Sequence, residues 1–459
     1  MSVFSALFDN KTYNFEQAFG AKDITTPDMK RAIRDWYTLF YNDKPDDKED
    51  PCQRLPVAIV SKLTKTTFSE YSATSKNAYA NTVLTALERI RKKAMQNALI
   101  GGECLLKPIF TVRGLTFSVI ERRNMLILGR DEQDEITSIG TAEMTVEGNA
   151  FYTLLERRTV NEDGYLTIES KLYSSDTAGV LGNEVPLATL DKYAMLAPVL
   201  VFPHPVWSLG LVPVRTPLEN CVDGSHDCVS VYAPAARLIH LVGVNEAQIN
   251  GEFERGKSRL VVSGDLLKTD SDGRKQLKDN IFTALDDDPD NVGVTIFSPA
   301  FREQSFLARK QEYLRNIESL IGLKRGILSE VEAAERTATE ITSSAGDYNL
   351  SIIDLQQMWE NAVKEAVRVC GILGKMYKVP GATTSIDTER EICVSWGNGI
   401  LYDEDKTGQQ MFSQVQAGLL KAEIYLGWYY NMPTETPKDL AVIRAKYMPE
   451  MENLTDGDK

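Results

Sequence analysis

Two amphipathic runs of roughly twenty residues each, separated by short β-branched and polar segments, dominate the middle of this chain. The first, Tyr232 to Phe253, sets Leu238, Ile239, Val242, Ile249 and Phe253 at helical spacing. The second, Phe301 to Ile321, sets Phe306, Leu307, Lys310, Leu314, Ile317 and Ile321 on one stripe. Between them Arg259 to Val262 and Val292 to Phe297 read as strands, with a polar insertion that ends in Asp286, Asp287, Asp288, Pro289 and Asp290. A helix out, a small β module and a helix back make a hairpin with a decorated tip, each arm roughly 30 Å long. Such a hairpin is a stalk, presented for something to dock on or pass along.

The flanking sequence changes period twice. A helix is expected around Met29 to Phe40, with Thr25 or Thr26 as its cap and Pro27 in its first turn. Asn42 to Pro51 reads as an exposed loop, Leu55 to Leu63 as the start of a compact region, and Tyr71 to Leu99 as a long helix stopped by Gly101 and Gly102. From Glu103 to about Leu190 the period is two, with strands expected at Leu105 to Val112, Leu115 to Ile120, Ile136 to Met144, Ala150 to Leu155 and Tyr165 to Leu172. Pro198 to Pro217 is irregular and proline-rich. After a loop, Leu323 to Glu335, a second long helix runs from Arg336 to about Leu373 with Ile341, Ala345, Tyr348, Ile352, Leu355, Trp359, Val363 and Val367 on its stripe. Two helices, Lys406 to Ala417 and Lys438 to Tyr447, are expected around Trp428, Tyr429 and Tyr430. The fold class is α+β.

Composition narrows the function. Of 459 residues, 51 are basic and 65 acidic, a net charge of −14, the wrong sign for a protein that coats DNA or a membrane surface. No run approaches the roughly 20 apolar residues of a membrane helix, and the N-terminus lacks a signal-peptide pattern, so synthesis and retention in a cytoplasm are expected. The six scattered cysteines read as thiols. Cys221, His226 and Cys228 lack the second ligand pair of a zinc site, so no metal and no cofactor are expected. The three histidines, His204, His226 and His240, leave little for general acid–base chemistry.

Gly251 to Ser258 matches G-x-x-x-x-G-K-[ST], the phosphate-cradling loop of many NTPases. That chemistry needs a strand before the loop and a helix after it, so that backbone N–H groups converge on the phosphates. Here a helix is expected before and a strand after, and Glu252 and Glu254 would face a polyphosphate. The alternative is a plain helix end, with Gly256 as its stop and Lys257 near the negative dipole terminus. No G-x-S-x-G, H-E-x-x-H, C-x-x-C or G-x-G-x-x-G occurs, no catalytic residue is assigned, and a non-enzyme is expected.

Four strings, in order, carry a resemblance: Gly101-Gly-Glu-Cys-Leu-Leu-Lys-Pro108, Tyr152-Thr-Leu-Leu-Glu156, Phe253-Glu-Arg-Gly-Lys-Ser-Arg259 and Arg336-Thr-Ala-Thr-Glu340. With the order of elements they resemble the tailed-bacteriophage portal proteins, in particular the SPP1/A118-like group, from about Val57 to the C-terminus. The resemblance implies a mixed α/β wing over 1–231, stem helices over 232–255 and 300–322, and a small β-containing clip over 256–299. It further implies a tunnel loop over 323–335, a long helix returning to the wing over 336–400, and a short helical crown over 401–459. It implies a non-enzymatic ring, usually a dodecamer, at one capsid vertex of the virion, built in the host bacterial cytoplasm. Double-stranded DNA would pass through that ring without sequence readout. Partners would be copies of the chain itself, the major capsid and scaffolding proteins, the terminase large subunit and a head-completion adaptor.

On that reading Lys324, Arg325 and Arg336 touch phosphates transiently, and an acidic ring keeps the sliding duplex from sticking. The competing reading has Lys324 and Arg325 serve only the end of the stem helix while Arg336 pairs with Glu332. Asp286, Asp287, Asp288 and Asp290 are the clip's candidates for docking a partner, against a solvated acidic turn. The rival functions are a packaging-type P-loop NTPase acting through Gly251 to Ser258, and a capsid or tail structural protein without a DNA channel.

Overall fold

A computed structural model describes residues 15–41, 53–111, 114–194, 196–255, 259–262, 267–269, 275–277, 294–297, 302–330, 338–397, 404–430, 432–434 and 436–448. The fold is mixed α+β and divides into two compact units, Met1–Thr67 with Thr74–Cys393, and Phe68–Ala73 with Val394–Lys459. The expected loop at Asn42 to Pro51 lies outside the described residues.

Helix α1 (Pro27–Tyr41) starts where its cap dictates: Thr26 Oγ1 accepts from the Met29 N–H at 3.2 Å, with Pro27 next. Helix α2 (Leu55–Thr67) follows. Helix α3 (Ala78–Gly101) begins seven residues later than the apolar spacing from Tyr71 indicates. Ser72–Ser75 instead forms strand β1, and Asn77 Oδ1 accepts from the N–H groups of Tyr79 and Ala80 at 2.9 and 3.2 Å. A satisfied cap sets the start, whatever the pattern upstream.

Strands β2 (Glu103–Thr111), β3 (Gly114–Glu121), β4 (Met125–Arg130), β5 (Ile136–Glu147), β6 (Ala150–Val160), β7 (Leu166–Ser175), β8 (Asn183–Val185), β9 (Val199–Val201) and β10 (Val212–Arg215) make two sheets. One has the order β10-β2-β3; the other runs β4-β5-β6-β7-β8, with β9 also on β7. The stretch 198–217, expected to be irregular, thus supplies two short strands. In β6 the successive residues Leu154 and Leu155 point to opposite faces, and both are buried. Leu155 packs with Phe15, Leu126, Ala142 and Tyr173; Leu154 packs with Leu172, Leu187, Leu190 and Tyr193. The sheet is therefore covered on both sides at that level.

Charges are buried where the two sheets meet. Lys107 Nζ lies 2.7 Å from Glu143 Oε1 and 2.9 Å from Glu156 Oε2, and Arg158 Nε lies 2.6 Å from Glu156 Oε1. Nearby, Arg122 Nε lies 3.2 Å from Glu103 Oε1, and Arg130 Nη2 lies 2.7 Å from Asp227 Oδ1. Two of the strings behind the family resemblance therefore supply Glu103, Lys107 and Glu156 to buried ion pairs.

Helices α4 (Ala236–Arg255) and α5 (Glu303–Ile321) form the expected hairpin. Helix α6 (Ala338–Met376) follows, with Ile352, Leu355, Trp359, Val363 and Val367 buried. It packs on α3, where the Tyr79 hydroxyl donates to the Cys370 carbonyl at 2.6 Å. A short α7 (Thr388–Glu391) closes the larger unit.

Among the described residues the smaller unit holds three helices where two were expected: α8 (Glu404–Gln416), α9 (Ala422–Tyr429) and α10 (Pro437–Tyr447). The aromatic cluster read as lying between helices is itself mostly helical. Thr436 and Asp439 form a capping box for α10, and Tyr430 stacks on Tyr447 with ring centroids 4.1 Å apart. Among the described residues no helix is long and apolar enough to cross a membrane.

Candidate functional site: the helical hairpin and the loop at its root

The two arms are locked antiparallel by polar bonds at successive levels. Asn245 Nδ2 donates to the Phe306 carbonyl at 3.2 Å, Lys310 Nζ pairs with Glu246 Oε2 at 2.7 Å, and nearer the tip Arg302 pairs with Glu252. The hydrogen bond and charge of Glu252 raise the Arg302 guanidinium above its ordinary range; hydrogen bonds with Tyr313 and then Glu312 do the same for Arg309. Each arm buries one stripe, Ile239, Val242 and Ile249 on α4 and Leu314, Ile317 and Ile321 on α5. Other large apolar groups on the arms stay in the open: Phe253 is 48% exposed, Leu307 44% and Leu320 50%. On one side the arms leave a groove of about 340 Å³, lined by Leu241, Val244, Phe306 and Tyr313 together with Gln248 and Arg309.

At the far end, β11 (Arg259–Val262) pairs antiparallel with β14 (Val294–Phe297), matching Arg259 with Phe297 and Val262 with Val294. Inside the insertion a second pair, β12 (Leu267–Thr269) with β13 (Lys275–Leu277), has no counterpart in the sequence reading. Its three-residue strands are mostly polar and give no alternation to detect.

At the root, α5 ends on Gly322, whose φ of +73° is the left-handed cap conformation, and the Leu323 N–H returns to the Glu318 carbonyl at 2.8 Å. The chain then folds back over the last turn. Glu318, fully buried, takes the N–H groups of Gly326, Leu328 and Ser329 on Oε1 at 3.2, 2.6 and 3.0 Å. The Ser329 hydroxyl donates to Oε2 at 2.6 Å, and the Glu330 N–H donates to Gln311 Oε1 at 2.9 Å. Three backbone N–H groups converging on one oxygen make an anion nest occupied by the protein's own carboxylate.

Of the residues expected to face DNA, Lys324 and Arg325 sit on this loop and are exposed. The Glu318 and Ser319 carbonyls at the end of α5 are met by the backbone N–H groups of Leu323 and Gly322. Arg336 lies outside the described residues, as do the docking candidates Asp286, Asp287, Asp288 and Asp290. Glu318 was missed by sequence reasoning. Its signal is an acid four residues after Leu314 and three before Ile321, on the buried stripe of the last helical turn.

The segment with the phosphate-loop pattern runs as helix through Gly251 to Arg255 and resumes as strand at Arg259, with 256–258 outside the described residues. The flanking elements stand in the order opposite to a strand–loop–helix cradle. His226 Nε2 lies 3.1 Å from Asp134 Oδ2, and burial pushes the Cys228 thiol up to about 12. Among the described residues no cluster of three or more His, Cys, Asp or Glu could hold a metal ion.

No protein-family model and no curated protein matches the sequence. A solved structure described as "Neck of native GTA particle computed with C12 symmetry" is similar over 93% of this chain and 99% of that chain, at 12% identity and a TM-score of 0.44.

Proposed function

We propose that this protein is a portal-type subunit: copies of it close into a ring at one vertex of a phage capsid, and double-stranded DNA passes through the hole. The observation that carries the reading is the hairpin together with its root loop. Two long arms, packed along their length, keep Phe253, Leu307 and Leu320 exposed, and between them lies a partly apolar groove. Exposed apolar groups on a thin rod gain most by packing against further copies, and a knob on one face with a groove on another gives a head-to-tail contact that closes into a ring. Lys324 and Arg325 then stand on a loop at one end of that rod.

The charge follows from the task. Duplex DNA carries one negative charge per ~1.7 Å of axis, so a basic lining would hold it fast. A chain of net charge −14 that presents a few exposed cations, Lys324 and Arg325 among them, makes weak phosphate contacts and reads no bases. Energy for translocation comes from a separate ATPase docked on the tip module, the acidic loop at Asp286 to Asp290 being its proposed docking element. A head-completion adaptor occupies the same end after filling.

Negative-stain images of the purified full-length protein test the ring. Annular particles with a central hole are the expected result; a homogeneous monomer at micromolar concentration overturns the proposal. Binding of magnesium nucleotide with a thermal shift of several degrees would favour the NTPase reading instead.

A further inference from the structure

A carboxylate in the last turn of a helix sits against the negative end of the helix dipole, and a buried one also loses its hydration. Glu318 bears both burdens, and the last turn of α5 holds no basic residue to offset them. Lys324 and Arg325 follow six and seven positions later, within reach of a loop that folds back over Glu318, yet neither forms an ion pair with it. The acid is satisfied instead by neutral donors: three backbone N–H groups and the Ser329 hydroxyl.

We infer that Glu318 is a positioning residue, which clamps 322–330 into a fixed platform by its backbone and thereby leaves Lys324 and Arg325 uncommitted for an outside polyanion. A countercharge would neutralise the acid more simply, but at the expense of the very cations the loop presents. Using backbone dipoles separates the two tasks: the carboxylate holds the loop, and the cations face outward. Two further ties act on the same loop, Gln311 with the Glu330 N–H and the left-handed cap at Gly322. What the platform faces rests on the conduit reading above, with the phosphate backbone of duplex DNA as the polyanion; the clamp itself does not.

Amide hydrogen exchange on the full-length protein separates the two. Glu318→Gln keeps the shape of the side chain and removes one acceptor oxygen, and Ser329→Ala removes one donor while sparing the three N–H bonds. The expected result is faster exchange at Gly326, Leu328 and Ser329, roughly tenfold or more for Glu318→Gln and less for Ser329→Ala, with protection in α6 and in the β5–β6 pair unchanged. Glu318→Asp, which keeps the charge, should restore part of the protection. Unchanged exchange at these three amides in Glu318→Gln overturns the clamp, as does exchange that rises equally throughout the molecule. The conduit reading is tested separately by Lys324→Ala with Arg325→Ala in assembled particles: unaltered DNA retention overturns that reading and leaves the exchange result to decide the clamp.

Discussion

Lys107 Nζ lies 2.9 Å from Glu156 Oε2, joining strands of two different sheets across 49 positions of sequence. Lys107 belongs to β2 and Glu156 to β6; Glu143 on β5 and Arg158 on β6 complete a buried group of two acids and two bases. Arg158 also donates to the carbonyls of Leu209 and Gly210 at 3.1 and 2.9 Å, which fixes the approach to β10. The group is a rivet between the two sheets.

Acid should loosen this rivet in a defined window. Burial alone would raise Glu156, but Arg158 and Lys107 outweigh it and hold the carboxyl at about 2, against an ordinary value of 4.5. A folded-state value below the unfolded one gives stability that is fully present above about pH 4.5 and is lost as pH falls towards 2. The whole contribution is roughly 3 kcal/mol. Thermal melts at steps between those limits should show a steep acid limb, and Glu156→Gln should flatten it. An unchanged limb in the variant would remove Glu156 as its source.

Breaking the rivet from the basic side should cost more than breaking an ion pair on the helical hairpin. Burial pulls the Lys107 ammonium down, but Glu156 and Glu143 more than restore it. Lys107→Met leaves two carboxylates buried with one cation, a loss of about 3 to 5 kcal/mol. Lys310→Met removes the partner of the half-buried Glu246 and should cost less than about 1 kcal/mol. Urea unfolding of the two variants checks the ranking.

How legible was this in the sequence? The helices that bury one stripe were, because Leu314, Ile317 and Ile321, or Ile352, Leu355 and Trp359, recur at a period only a helix satisfies. Strand β4 was not, because register shifts between Ile127 and Gly129 and again between Gly129 and Arg130 break its alternation. Helix α9 was hidden by its composition: Ile424, Tyr425, Leu426, Trp428 and Tyr429 are apolar all round and show no polar face. Lys107 and Glu156 were visible as parts of family-like strings, but their meeting depends on the packing of two sheets. Glu318 was hidden because its bonds go to backbone N–H groups, which are the same for any sequence.

Gly102 is predicted to tolerate no side chain. Its φ is +86°, and a Cβ there would lie 2.4 Å from the Cys228 carbonyl oxygen, a backbone atom that cannot swing away. The left-handed conformation and the collision act together, so Gly102→Ala should lose at least about 2 kcal/mol. A melting temperature within a degree of the parent would contradict both.

Gly322 is a milder case with a built-in control. At φ +73° alanine is strained, by about 1 to 2 kcal/mol, and its Cβ would meet Ser351 Oγ on α6 at 2.5 Å. Ser351→Ala removes that oxygen and leaves the strain. The double variant should therefore recover part, not all, of the stability lost in Gly322→Ala; full recovery would mean that the backbone conformation costs nothing.

The exposed apolar residues of the hairpin separate folding from assembly. Leu307 and Leu314 share one face of α5, two turns apart, but Leu307, nearer the tip, is exposed while Leu314 is buried. Leu314→Ala removes a packed side chain and should cost about 2 to 5 kcal/mol in the isolated chain. Leu307→Glu removes little from the isolated chain, within about 0.5 kcal/mol, because water already reaches the position. In a ring the same change puts a charge into an apolar contact with the next copy, which is costly unless paired. Leu307→Glu should therefore melt like the parent yet fail to form annular particles in negative stain. A variant that melts like the parent and still gives rings would put the subunit contact on another face of the hairpin.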